Sequence, residues 1–112
     1  MKTSVLALFL LALAPTVRPE ERPCVETSYG RCYFVHARYA IYADGDALWP
    51  VGTKRLLEAT SPQLDQMLEK AGWEDNVLFG DFQVCPESPY IRGQKQAVCI
   101  AAYKNIRMAS RK

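Results

Sequence analysis

Four cysteines and one histidine are the side chains of this 112-residue chain best suited to chemistry. Cys24, Cys32, Cys85 and Cys99 are separated by seven, fifty-two and thirteen intervening residues, with no C-x-x-C pair. A zinc site normally brings at least one close pair, and a thioredoxin-like redox site requires C-x-x-C, so the spacing points to two structural disulfides. Three pairings are possible. The local one, Cys24–Cys32 with Cys85–Cys99, is favoured because each pair flanks a segment able to turn back on itself. His36 would need an unpaired thiol or a positioned serine beside it to act in nucleophilic catalysis, and nothing in the sequence selects one. It reads as a half-exposed strand histidine.

Asp44, Asp46, Glu74, Asp75 and Asp81 could in principle supply the carboxylate pair of a glycosidase. Asp44 and Asp46 more simply shape a turn, and Glu74-Asp75-Asn76 forms a polar connection. Gly52-Thr53-Lys54 lacks the glycine-spaced frame of a phosphate loop, and Asp44-x-Asp46 lacks calcium-loop spacing. No catalytic residue, metal or cofactor is expected. There remains a set of flat side chains, Tyr33, Tyr39, Tyr42, Trp49, Trp73 and Tyr90, with Arg38, Lys54 and Arg55 among them. Aromatic rings beside cations suit stacking on sugars or bases. Arg38, Trp49, Lys54 and Arg55 are the candidate ligand-binding residues; the plain rival is that the rings fill a small core.

The elements that must position these groups follow a different logic at each end. Met1-Lys2 and the apolar run Val5–Ala14 have the form of a secretory signal, too short for a membrane span of about 20 residues. Cleavage after Thr16 is expected, giving a signal over 1–16 and a polar leader over 17–23. Arg22-Pro23 before Cys24 does not fit a lipid-modified cysteine. Loss of Lys2 lowers the formal charge of +2 by one. Fourteen basic against twelve acidic residues then implies no general attraction to nucleic acid. The aromatic content of 11% and charged fraction of 23% exclude a disordered chain, and the length excludes a two-lobed enzyme.

From Tyr33 to Tyr42, apolar residues at every second position predict a strand with Tyr33, Val35, Ala37, Tyr39 and Ile41 on one face. Asp44-Gly45 predicts a hairpin turn. Two short strands, 47–51 and 53–58, or one strand bent at Pro50 to Gly52, follow. Ser61 as N-cap, Pro62 and Gly72 frame one helix, with Leu64, Met67, Leu68 and Ala71 as its apolar stripe. Residues 77–85 form a strand with Leu78, Phe82 and Val84 on one side. Residues 86–93 form a loop. Residues 96–108 form the last strand, with Val98, Ile100, Ala102, Ile106 and Met108 on one face and a bend near Lys104. Residues 110–112 are expected to be a loose tail.

The fold class is mainly β with one helix. The order suits a small OB-like five-stranded, partly open barrel, whose helix lies between the third and fourth strands, or an antiparallel sheet with one packed helix. A single disulfide-stapled domain over 24–109 results. Val35-His36-Ala37-Arg38, Trp49-Pro50-Val51-Gly52-Thr53-Lys54-Arg55-Leu56, Gly80-Asp81-Phe82-Gln83-Val84-Cys85-Pro86 and Gln96-Ala97-Val98-Cys99-Ile100 resemble segments of small, uncharacterised exported bacterial proteins over most of the mature chain. Ala37 and Glu58 depart from that resemblance, standing where such chains have glycine. The resemblance implies export and paired cysteines, not a mechanism.

The expected function is a periplasmic or secreted binding or interaction module for a protein or glycan ligand, with no specific nucleic-acid partner and no membrane span after signal cleavage. The alternatives are an extracytoplasmic enzyme inhibitor presenting the 86–93 loop, its shape fixed by prolines, or a small hydrolase.

Overall fold

The computed structural model describes residues 23–111; the expected signal and most of the leader lie outside the described residues. Five strands and one helix follow in the order β1 (Tyr33–Tyr42), β2 (Gly45–Pro50), β3 (Leu57–Glu58), α1 (Pro62–Ala71), β4 (Asn76–Pro86) and β5 (Gln96–Ser110). The strands close into a ring ordered β1-β2-β3-β5-β4. All neighbours are antiparallel except β3 and β5, which run parallel through two residue pairs, Leu57–Gln96 and Glu58–Ala97. The ring is thinnest there. The OB-like order expected from the sequence is the one observed, with the helix between the third and fourth strands.

The alternation of β1 holds: Ala37 and Tyr39 are fully buried, while Tyr33, Val35 and Ile41 pack against the same core. The hairpin turn falls one residue early. Tyr42 pairs with Gly45, so Ala43-Asp44 make the turn and Gly45, at φ 136°, opens β2 in a conformation that favours glycine. β2 stops at Pro50, where Thr53 N donates to Pro50 O at 3.3 Å and Gly52 takes φ 85°. This turn lifts the chain off the sheet. The strand expected over 53–58 therefore shrinks to Leu57–Glu58.

Ser61 caps α1 by accepting from Leu64 N at 3.3 Å. Only Leu64 and Leu68 are buried in the core; Met67 is 38% exposed and Ala71 is exposed, so the apolar stripe is narrower than its periodicity predicts. Leu78, Phe82 and Val84 of β4 point inward as expected. β5 does not keep one face. Its register against β4 shifts between Ile100 and Ala102 and again between Lys104 and Arg107. Each shift inserts a residue and flips the alternation. The first flip turns Tyr103 to the core and Ala102 outward; the second restores the expected parity, so Ile106 packs on the core, while Met108, opposite Leu78 near the end of the strand, is 42% exposed. Gly80 answers the second bulge: a Cβ there would collide with the Ile106 side chain.

Two disulfides staple the ring, and their pairing corrects the local one. Cys24 bonds to Cys99 and Cys32 to Cys85. The reason is sheet adjacency. Tyr33 pairs with Val84, so Cys32 and Cys85 continue the β1–β4 ladder at a Cα separation of 4.0 Å. Cys85 and Cys99 are themselves ladder partners, yet each is bonded to the N-terminal side of the chain. A segment able to turn back on itself, the basis of the sequence preference, says nothing of neighbours made by the fold.

The C-terminus is also not a loose tail through 111. Ser110 belongs to β5 and pairs with Asn76. Arg111 N donates to Asp75 O at 2.8 Å, its Nη2 donates to Ile41 O at 2.7 Å and Trp73 O at 3.0 Å, and its guanidinium lies over Tyr42.

Candidate functional site

Alternation on a strand sends every second side chain outward, and strand pairing sets outward residues side by side. On the outer face of the ring this produces one continuous row. Trp49 of β2 pairs with Arg38 of β1, Arg38 with Phe79 of β4, and Phe79 with Arg107 of β5. Ring and cation alternate across four strands. The Arg38 guanidinium lies 5.6 Å from the Trp49 ring centre, and that of Arg107 lies 4.9 Å from Phe79. A groove of about 250 Å³ runs at the β2 end, lined by Arg38, Trp49, Phe79 and the turn Pro50–Thr53. Trp49 Nε1 and Arg38 Nε are buried N–H groups with no protein partner. Arg55 Nε and Arg111 Nε, away from the groove, are in the same state, so these N–H groups do not single out the groove.

The next row continues the chemistry. His36 pairs with Asp81 and Asp81 with Lys104; Lys104 Nζ sits 5.0 Å from the ring of Phe34, which is 54% exposed. Asn105 Nδ2 donates to Asp81 Oδ2 at 2.8 Å, and His36 Nδ1 lies 2.9 Å from Oδ1. The Asn105 bond first, and the His36 bond second, hold the Asp81 carboxyl below the usual carboxylate range. Asn105 reaches it from the β5 bulge, at φ 57°. The one carboxylate in these two rows is thus already engaged by its neighbours, while Arg38, Lys104 and Arg107 leave the face basic.

Of the four residues selected from sequence, the fold brings together Arg38 and Trp49. Arg55 goes elsewhere: its Nη2 donates to Gln96 Oε1 at 2.6 Å and its guanidinium covers Tyr90 at 4.1 Å. Lys54 is exposed on the segment before β3. OB-type barrels often take ligands between the β1–β2 and β4–β5 loops. Here those loops meet each other, Lys95 Nζ lying 3.4 Å from Asp44 Oδ2. Phe79, Arg107, Lys104 and Phe34 were not selected from the sequence. Phe79 and Arg107 were accessible from strand parity, as outward neighbours of Leu78 and of Ile106 and Met108; Lys104 was hidden by the first bulge. Tyr33, Tyr39 and Trp73 serve the core, so the rival reading of the rings holds for those three.

A second polar cluster lies inside. The buried Tyr39 hydroxyl accepts from Ser61 N at 2.9 Å and lies 3.0 Å from Asp46 Oδ2 and 2.8 Å from Asp65 Oδ1. One hydroxyl proton cannot serve two carboxylates. Burial, then hydrogen bonding to Asp46, pushes the Asp65 carboxyl up to about 7, and burial pushes the Tyr39 hydroxyl well above its usual range. The cluster ties α1 to β1 and β2. A larger cleft of about 950 Å³ lies between Ser61, Gln63, Glu58, Ala97 and Tyr103, with no basic residue among the described residues of its wall.

Among the described residues no helix is long and apolar enough to cross a membrane. No family, curated protein or solved structure matches the chain in comparisons with known proteins.

Proposed function

We propose that this protein is an exported binding module that engages its ligand on the outer face of β2, β1, β4 and β5. Two disulfides suit an oxidising compartment outside the cytoplasm. The observation that carries the reading is the Trp49–Arg38–Phe79–Arg107 row with its groove. Flat apolar faces and fixed cations supply stacking and charge-assisted bonds to a planar or anionic ligand. The row asks for contact along a surface, not for bond making, and no catalysis is proposed.

The test follows the emission of Trp49 while the oxidised protein is titrated with soluble saccharides and oligonucleotides. A change that Trp49→Phe abolishes and Arg38→Gln weakens supports the proposal. Emission unmoved by every probe refutes it. Export is tested separately, by recovering the chain from the extracytoplasmic fraction with its N-terminus near Val17.

One observation favours a second reading. Tyr90 and Ile91, each about half exposed, stand on the 87–95 loop whose flanking strands are held by both disulfides. Ser88 Oγ accepts from Ala97 N, and Gln96 Nε2 donates to Ser88 O, so the loop base is fixed. That arrangement fits an enzyme inhibitor presenting a rigid loop. Inhibition of a hydrolase that Tyr90→Ala and Ile91→Ala relieve would establish it.

A further inference from the structure

We propose that the cleft between β5 and the start of α1 is a second binding site, taking an extended peptide segment of a partner protein that pairs with the edge of β5 and brings a basic side chain to Glu58. The cleft shares no residue with the Trp49–Arg38–Phe79–Arg107 row, and the proposal does not rest on that face. Topology makes the edge. On one side β5 pairs with β4 along nearly its whole length, but on the other only Gln96 and Ala97 meet β3. α1 packs on β1 and β4, and its one hydrogen bond to β5 among the described residues runs from Tyr103 Oη to Gln63 Oε1 at 3.1 Å. The cleft of about 950 Å³ lies in that gap, with residues 97–103 along one wall and 58–63 along the other.

The backbone identifies the kind of ligand. Glu87 N donates to Ala97 O at 2.8 Å and Gln96 N donates to Leu56 O at 3.2 Å, so Ala97 turns its polar groups toward β4 and Gln96 toward β3. Alternation then aims the Val98 carbonyl and both polar groups of Ile100 at the cleft, and past the bulge at Ala101 those of Tyr103. No strand among the described residues pairs with them on that side. Donors and acceptors at strand spacing are satisfied together by another extended backbone, which adds one strand to the sheet. The edge Val98-Cys99-Ile100-Ala101-Ala102-Tyr103 has no charge and no proline, the devices that commonly guard an open strand.

The side chains narrow the choice. Ala59, Pro62, Val98 and Ile100 line the cleft with apolar surface. Glu58 stands in the facing wall, exposed and without an ion pair among the described residues, and none of those in the wall is basic. A segment alternating apolar and basic residues matches both. A second copy fits poorly, because its own β5 edge lies behind its own α1.

The test titrates the oxidised, isotope-labelled protein with three short peptides blocked at both ends: valine alternating with lysine, valine alternating with glutamate, and the first with every backbone nitrogen methylated. The lysine peptide should bind and slow hydrogen exchange at the Ile100 and Tyr103 amides, while the glutamate and methylated peptides should not. Glu58→Gln should weaken the lysine peptide about threefold, the worth of one exposed ion pair, and Arg92→Gln in the 87–95 loop should leave it unchanged. Equal binding of the glutamate peptide overturns the basic partner, and equal binding of the methylated one, or unslowed exchange at Ile100, overturns strand addition. Binding of none of the three overturns the site. An Ile100 amide already slow to exchange in the free protein, and released when the chain is started at Pro23, gives the cleft to the residues before Pro23. A dimer whose dissociation speeds that exchange gives it to a second copy. Either result overturns the partner peptide.

Discussion

Replacing Cys32 and Cys85 together with alanine removes the inner of two nested bridges. The outer bridge, with a sequence separation of 75, stays closed, and the inner one, with a separation of 53, opens. The inner bridge divides the outer loop into a cycle of 53 residues and another of about 22, equivalent to closing a loop of about 15, so its loss costs about 3 kcal/mol in chain entropy. Losing both bridges costs about 7.5 kcal/mol on the same scale, comparable to the whole stability of a small domain. Cys32→Ala/Cys85→Ala should therefore stay folded but lose about 3 kcal/mol in non-reducing urea denaturation, whereas full reduction should unfold the chain. A thiol titration of the unfolded variant distinguishes the pairings outright. Nested bridges leave no free thiol, because Cys24 and Cys99 remain joined; local bridges would leave two. Two free thiols, or a loss below about 1 kcal/mol, would refute the reasoning.

Three further outcomes test other parts of the fold. Gly80→Ala should cost about 1–3 kcal/mol, measured by thermal denaturation, because its methyl group meets Ile106 and the β5 backbone. Tyr39→Phe should cost about 1–3 kcal/mol, since it strips Ser61 N and two carboxylates of their shared hydroxyl. For Asp65, the folded carboxyl titrates near 7 against an ordinary value of 3.8, so the folded state holds the proton more tightly than the unfolded one. Stability should then fall as pH rises through that interval and level off above it. Asp65→Asn, which keeps a donor without the charge, should flatten the melting temperature between pH 4 and 7; an unchanged slope would contradict the cluster.

Local signals placed most of the architecture. The period of β1, the Ser61–Pro62 start of α1 and the inward set Leu78, Phe82 and Val84 of β4 depend only on neighbours in sequence, and all three appear in the structure. What was hidden depends on register. Pro50 and Gly52 announced a break, but the short β3 is fixed by its two partners, β2 and β5. The bulges of β5 have no pattern of their own beyond Lys104 interrupting a face; the first decides that Tyr103 turns inward and Lys104 outward, and the second that Ile106 covers Gly80. The disulfides followed the same rule, being set by β1 lying beside β4. Half of the candidate site was visible for that reason. Arg38 and Trp49 lie on a hairpin, whose pairing is local; Phe79 and Arg107 join them only through the long-range pairing of β1 with β4.

The central claim is that the outer face of β2, β1, β4 and β5 binds the ligand. The most direct measurement is the amide chemical-shift map of the oxidised, isotope-labelled protein titrated with the soluble saccharides and oligonucleotides of the emission assay. Shifts concentrated at 34–38, 49–51, 79–81 and 104–107, with the 87–95 loop unmoved, are the expected result. Shifts confined to the 87–95 loop, or none with any of these probes at saturation, would contradict it.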